Sequence, residues 1–126
     1  MKQWEVVDWD FPHGPHPAIV LSPDARCTNA AFDTVNLLSC TSQQAMRTAR
    51  LNEVLLNGAD GFAWETLCRV DFVWVAPKAG IRHRRGPVTE ERRREIGRKL
   101  AAWFGFRWHT CPASNPPESR LYNKRR

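Results

Sequence analysis

The sequence lacks the long apolar stretches that mark membrane proteins, and we expect no leader of the kind that marks exported proteins. No run within its 126 residues approaches the roughly 20 consecutive apolar residues that a membrane-spanning helix needs. Residues 1–5 lead straight into an apparent strand, so no signal peptide is predicted. We therefore expect a soluble cytoplasmic protein, and a hydrophobic content of 42% is sufficient for one domain with one core.

Motifs of nucleotide and metal chemistry are equally absent from the sequence. It has no P-loop and no G-x-G-x-x-G, so phosphate binding by a glycine cradle is not indicated. It has no H-E-x-x-H and no acidic cluster, so a metal-dependent nuclease has no obvious ligands. We expect no metal and no cofactor.

Cysteine is scarce, and its spacing argues against structural cross-links. Cys27, Cys40, Cys68 and Cys111 form no C-x-x-C pair, and a disulfide framework would need an oxidising compartment. His109 and Cys111 could supply two metal ligands, which is too few for a structural zinc site. We predict four free thiols, most of them buried.

The net charge of +6 is unevenly distributed along the chain. Residues 1–77 carry five Lys/Arg and nine Asp/Glu, a balance of −4, whereas residues 78–126 carry fourteen and four, a balance of +10. This asymmetry suggests a polyanion or an acidic protein as partner of the second half. A solvated basic helix with a disordered tail would give the same pattern, and charge alone does not separate the two.

The chain reads as a series of short strands followed by one helix. Val7, Trp9 and Phe11 alternate with acidic residues, which is the period of a strand. Strands are predicted at residues 3–11, 18–21, 34–41, 52–56 and 67–76. Residues 12–17 and the basic residues 78–87 are predicted to be loops, the former because proline cannot donate to a sheet ladder.

The C-terminal helix is predicted at about residues 89–105, where Thr89 is a good N-cap and Gly105 fits the position after the helix end. Its apolar stripe consists of Ile96, Leu100, Trp103 and Phe104. Closely spaced strands imply antiparallel pairing, and a sheet curled into a barrel with the helix closing one side would bury the aromatic residues. Residues 1–111 are the expected domain, and residues 112–126 are an expected flexible basic tail.

Candidate catalytic side chains come from three places. Arg69 and Asp71 are two positions apart on one predicted strand, so they share a face and form either a structural ion pair or an acid–base and phosphate-binding pair. Thr41 ends another strand, where its hydroxyl could hold a phosphate oxygen or cap a turn. His13 and His16 could exchange protons near neutral pH, as RNA cleavage by a 2′-hydroxyl requires, or could be solvated loop residues.

Four segments form a pattern when they are read in order. They are WEVVDWDF, GPHPAIVLSP, NLLSCTSQ, and LNEVLLNGADGFAWETLCRVDFVWVAPK followed by RRGPVTEERRREIGRKLAAWFGF. In this order and spacing, over about residues 3–106, the chain resembles the PemK/MazF-like toxins of bacterial toxin–antitoxin systems. The resemblance implies a mainly β fold with one C-terminal helix, an SH3-like antiparallel β-barrel of the PemK/MazF/CcdB type, and a homodimer.

The resemblance also implies roles for the candidate residues. Arg69 and Asp71 match an Arg-x-Asp that serves transition-state stabilisation and proton transfer, and Thr41 matches a threonine at the scissile phosphate. His16 stands where the family usually has an arginine, and it lacks the fixed charge and the planar fork of a guanidinium. His13 lies where some members carry a loop histidine.

The predicted function is that of a type II toxin, a metal-independent endoribonuclease that cleaves single-stranded RNA and is inhibited by a cognate acidic antitoxin. RNA would lie across a basic surface made by Lys78, Arg82, Arg84, Arg85 and Arg47. Because His16 replaces an arginine, the alternative is a non-catalytic RNA- or partner-binding module on the same fold. A DNA-binding helix is disfavoured, since no second helix precedes residues 89–105 to form a helix-turn-helix.

Overall fold

The structure is a computed structural model that describes residues 1–41 and 46–106. It confirms a mainly antiparallel β fold with a C-terminal helix. The strands are β1 (Val6–Phe11), β2 (Gly14–Val20), β3 (Thr34–Ser39), β4 (Glu53–Leu56), β5 (Thr66–Arg69), β6 (Trp74–Pro77) and β7 (Arg82–Arg85). The helices are α1 (Asp24–Thr28) and α2 (Glu90–Trp103), and Gly58–Asp60 form a 3₁₀ turn.

The strands form two antiparallel sheets. A five-stranded sheet has the order β6-β3-β2-β1-β7, and β4 pairs with β5 in a two-stranded sheet. A single bridge between Cys40 and Cys68 joins the end of β3 to β5. The candidate site lies where the two sheets meet, because β3 and β5 both end there.

The second strand begins at Gly14, so the prediction of a loop at residues 12–17 is wrong for most of that segment. Val20 directs its N–H and C=O toward β1, donating to Glu5 O at 3.0 Å and accepting from Trp4 N at 2.8 Å. Strand residues two apart face the same way, so the missing N–H groups of Pro15 and Pro17 face β3 instead. Neither proline therefore interrupts the hydrogen bonds between β1 and β2. His16 is a strand residue that lies opposite Trp9.

The predicted strand at residues 67–76 is two strands in different sheets, so this prediction is also wrong. Strand β5 pairs with β4, and Val70 N, just after β5, donates to Asn52 O at 2.9 Å. From Trp74 onward the chain forms β6, which pairs with β3 in the other sheet. Asp71 lies in the crossover between the sheets. A continuous run of β-forming residues does not show where a chain changes sheets.

The predicted basic loop at residues 78–87 contains the edge strand β7, which pairs with β1. Arg82 forms an ion pair with Asp10 at 3.3 Å, and Arg84 with Asp8 at 3.0 Å. Without these acidic partners on β1, the positive charges of the β7 arginines would repel one another. The basic run is therefore a strand because of acids that lie more than 70 positions earlier in the sequence.

The core consists of two clusters, which corrects the expectation of one. The consecutive residues Val6 and Val7 belong to different clusters, as do Leu37 and Leu38, so the five-stranded sheet buries both faces.

Three of the four predicted free thiols are confirmed as free and buried, those of Cys27, Cys40 and Cys68. His109 and Cys111 lie outside the described residues.

Helix α2 begins as predicted, with the Thr89 hydroxyl accepting from Arg92 N at 3.4 Å, and Gly105 has a left-handed φ of 78°. Its apolar stripe is buried only in part. Ile96 is fully buried, but Trp103 and Phe104 are 48% and 47% exposed, so the prediction that the stripe faces the core fails at its C-terminal end.

The predicted tail and the domain boundary after residue 111 lie outside the described residues. Among the helices that are described, none has the length and apolar character to cross a bilayer.

Candidate active site

A cleft of about 640 Å³ opens between the ends of β2 and β3 on one side and β4, β5 and the crossover after β5 on the other. We call it the main cleft. The predicted residues that line it are His13, His16, Thr41, Arg47, Arg69 and Asp71. All five predicted catalytic residues thus lie on one continuous surface, although they come from three separate segments of the chain.

Arg69 and Asp71 form a two-fold hydrogen-bonded ion pair in this cleft. Arg69 Nε donates to Asp71 Oδ1 at 3.0 Å, and Nη2 donates to Oδ2 at 2.7 Å. The bond from Arg69 lowers the pKa of Asp71, burial opposes it, and a bond from Asn52 lowers it further. The bond to Asp71 in turn raises the pKa of Arg69. Asp71 is therefore a fixed anion that orients a guanidinium and a poor acceptor for a proton at neutral pH.

The Thr41 hydroxyl is held by β5. Its oxygen lies 2.5 Å from the hydroxyl of the fully buried Thr66 and accepts from Leu67 N at 3.2 Å. The Thr66 hydroxyl also donates to the Thr41 carbonyl at 2.7 Å. Sequence reasoning missed Thr66, because only the bridge between β3 and β5 brings two residues 25 positions apart into contact.

His13 and His16 lie beside each other, with ring centroids 4.6 Å apart and the rings of Phe11 and Trp74 next to them. Burial lowers the pKa of His16, the charge on His13 lowers it further, and a bond with the backbone of Cys40 opposes both. His16 Nδ1 is buried and has no hydrogen-bond partner among the residues that the structure describes. A neutral imidazole at pH 7 is the form that can accept a proton.

Arg47 reaches the main cleft with its charge already paired. Its two Nη groups each donate to the buried Glu53 carboxylate at 2.6 Å, and Arg50 N donates to the same group at 2.9 Å. The Arg47 bond lowers the pKa of Glu53. Arg50 also lines the cleft, and its guanidinium forms no ion pair within residues 1–41 and 46–106. Sequence reasoning selected Arg47 and missed Glu53 and Arg50.

Of the other predicted RNA-binding residues, Lys78, Arg82 and Arg84 do not line the main cleft. Arg82 and Arg84 line a second cavity of about 300 Å³, which we call the side pocket. Lys78 instead donates to the carbonyls of Arg26 at 2.7 Å and Asn29 at 3.0 Å, and it lines neither cavity. Arg85 is the last residue of β7.

His16 and Thr41 line both cavities, so they form the boundary between the main cleft and the side pocket. In the described part of the chain, no group of three His, Cys, Asp or Glu side chains is arranged to hold a metal. The arrangement offers acid–base groups, a fixed guanidinium and a hydroxyl. These are the groups that a phosphoryl transfer within RNA uses.

The fold is that of MazF toxins. The chain is similar to a mycobacterial endoribonuclease solved in complex with its cognate antitoxin, with a TM-score of 0.71 and 22% identity over 86% of this chain and 99% of that one. It is similar to the Mycobacterium tuberculosis toxin MazF-mt6, with a TM-score of 0.69 and 12% identity over 82% and 99% of the two chains.

A MazE–MazF structure from Deinococcus radiodurans has a TM-score of 0.66 and 20% identity over 85% and 97% of the two chains. No family model and no curated protein sequence matches the chain. At these identities the similarity establishes a PemK/MazF-like toxin fold, and activity has to be argued from the site.

Proposed function

We propose that the chain is the toxin of a type II toxin–antitoxin system, an endoribonuclease that cleaves single-stranded RNA without a metal. The observation that carries this proposal is the main cleft itself. Three groups suited to RNA cleavage line it, namely the Arg69–Asp71 pair, the Thr41 hydroxyl and the two histidines. The MazF-like fold supports the same reaction class.

In the proposed reaction, neutral His16 takes the proton of a ribose 2′-hydroxyl at Nε2, because its Nδ1 is buried. The 2′-oxygen then forms a bond to the adjacent phosphorus, and the bond from phosphorus to the 5′-oxygen breaks. His13, exposed beside His16, gives a proton to the leaving 5′-oxygen. The products are a 2′,3′-cyclic phosphate and a 5′-hydroxyl end.

The remaining groups stabilise the charge that develops on phosphorus. Arg69 presents donors to the pentavalent phosphate and Asp71 holds the guanidinium in position. Thr41 turns its hydroxyl proton toward a non-bridging oxygen, while Leu67 N keeps the hydroxyl oxygen in place. Arg50 supplies positive charge at the edge of the cleft to hold the RNA backbone.

The second candidate is a non-catalytic RNA- or partner-binding module on the same fold. It is favoured by His16, which stands in place of the expected arginine, and by the carboxylate partners of Arg47 and Arg69. Purified protein incubated with a mixed single-stranded RNA pool in EDTA separates the two. New 5′-hydroxyl ends support the nuclease, and retained but uncut RNA supports the module.

For the partners, we propose a cognate acidic antitoxin, a homodimer and a cytoplasmic location. Two of the similar structures are complexes with an antitoxin, and Arg82 and Arg84 of β7 are exposed. An acidic chain would neutralise these arginines and cover the RNA site. Co-expression with the acidic product of a neighbouring reading frame should restore growth and give a stable complex. Light scattering of the toxin alone measures its oligomeric state.

A further inference from the structure

The side pocket adjoins the main cleft and has no role in the reaction proposed above. It shares His16 and Thr41 with the cleft, and the exposed indole of Trp64 forms part of its wall. We propose that the side pocket binds the base of a nucleotide next to the scissile phosphate, stacked on Trp64, and so selects the cleavage site. This inference rests on the proposed function and deepens it.

Because the side pocket adjoins the main cleft, we expect it to bind a nucleotide of the same RNA strand. If the scissile phosphate lies against His16 and Thr41, the cavity on their other side is within reach of one of the two flanking nucleotides. That side is the side pocket, because the same two residues border both cavities. A strand only one nucleotide longer than the reacting group would therefore reach Trp64.

The segment that leads into Trp64 is tied down by hydrogen bonds at residues 57–60. Asn57 accepts from Ala59 N at 2.9 Å, and its own N–H donates to Asp60 at 3.1 Å, which closes a capping box. The Asp60 carboxylate is 2% exposed and accepts from both Thr89 N and the Thr89 hydroxyl, at 3.1 and 3.0 Å. The loop is thus bonded to the start of α2.

Two aromatic residues of this loop have opposite environments. Phe62 is 7% exposed and packs in the core, whereas Trp64, two positions later, is 47% exposed at the pocket wall. A half-exposed indole at a pocket wall leaves a large apolar face in water that a flat ligand can cover. Unpaired bases stack on such rings with little dependence on sequence, and contacts to the base edge add selectivity.

The pocket also has donors that can provide those edge contacts. Arg84 uses only its Nε to bind the two oxygens of Asp8, at 3.1 and 3.0 Å. Its two Nη groups form no hydrogen bond to any described residue. An aromatic face with guanidinium donors at its rim fits a base followed by a phosphate. An acidic peptide would use the guanidinium and leave the indole uncovered.

The test compares cleavage-site profiles on a randomised single-stranded RNA pool for the wild type, Trp64→Ala, Trp64→Phe and the matched control Trp103→Ala. Trp103 is equally exposed but lies at the end of α2. We expect Trp64→Ala to lower kcat/KM about 10-fold and to lose base preference at one position flanking the cut. Trp64→Phe should retain most of both, and Trp103→Ala should behave as wild type.

Binding of 2′-deoxy oligonucleotides, which cannot be cut by this route, separates the two proposals. Trp74 lines the main cleft and reports binding there, so a part of the tryptophan quenching that is lost in Trp64→Phe supports the pocket even if the wild type cleaves nothing. An unchanged cleavage profile for Trp64→Ala, or quenching that is the same with and without Trp64, overturns the inference. A defect of Trp64→Ala confined to antitoxin binding assigns the pocket to the protein partner and overturns it as well.

Discussion

The hydroxyl groups of Thr41 and Thr66 lie 2.5 Å apart and connect the end of β3 to the first residue of β5. Thr66 is fully buried and also donates to the Thr41 carbonyl, and these two contacts together position Thr41, which lines the main cleft. The candidate site thus depends on a residue that never reaches the substrate.

Replacing this positioning residue tests that dependence. Thr66→Val keeps the shape but removes the partner of Thr41, so we expect kcat to fall about 10- to 100-fold with little change in KM. It should also cost about 1–3 kcal/mol of stability, since the Thr41 carbonyl loses its donor. Thr66→Ser should restore kcat, and Thr28→Val, which removes an exposed hydroxyl bond, is the control. A folded Thr66→Val protein that cuts at the wild-type rate would refute this role.

The acid side of the pH profile tests His16 as the base. The base must be neutral, and burial together with the charge on His13 keeps the pKa of His16 below its ordinary value of about 6.5. Activity should therefore persist somewhat below pH 6.5 and fall only at more acidic pH. NMR titration of the ring protons should give the same midpoint, and His13→Asn should raise it. A His16 that titrates at or above 6.5 would argue against the assignment.

Glu53 should stabilise the cleft through its charge. Arg47 and the backbone of Arg50 hold the pKa of this carboxyl below that of the unfolded chain, which is about 4.3. The contribution of the Glu53 carboxylate to the free energy of unfolding is therefore fully present above about pH 4.3. It is lost as the pH falls through the pKa of Glu53 in the folded protein. Glu53→Gln should lower the melting temperature at pH 7, and the difference from wild type should shrink below pH 4.

The control for this experiment is Glu90→Gln, which removes an exposed ion pair with Arg94 on α2. It should have a smaller effect, because solvent screens that pair. Equal shifts for the two variants, or a Glu53 difference that grows at acidic pH, would contradict the role given to Glu53.

Local signals predicted the helix and the proximity of Arg69 and Asp71. The N-cap at Thr89 and the glycine at 105 act within a few residues, so the sequence alone marks the ends of α2. Arg69 and Asp71 do pair, but a bend at the crossover brings them together rather than a shared strand face.

Long-range pairing explains what the sequence did not predict. The arginines of β7 form a strand because Asp8 and Asp10 lie opposite on β1. Glu53 and Thr66 enter the site through strand register and the contact between the two sheets, neither of which leaves a periodic signal in the chain. Spacing assigned Trp103 to the core stripe because it shows which face of a helix residues share, but it does not show how much of that face is covered.

The most direct test of the account is the chemistry of RNA ends produced in EDTA by the wild type, Arg69→Ala and Arg94→Ala. Arg94 is an exposed arginine of α2 that pairs with Glu90 and does not line the main cleft. We predict 5′-hydroxyl and 2′,3′-cyclic phosphate ends from the wild type and Arg94→Ala, and a loss of about 100-fold or more for a folded Arg69→Ala. Cleavage by Arg69→Ala at the wild-type rate, or cleavage that EDTA abolishes, would contradict the account.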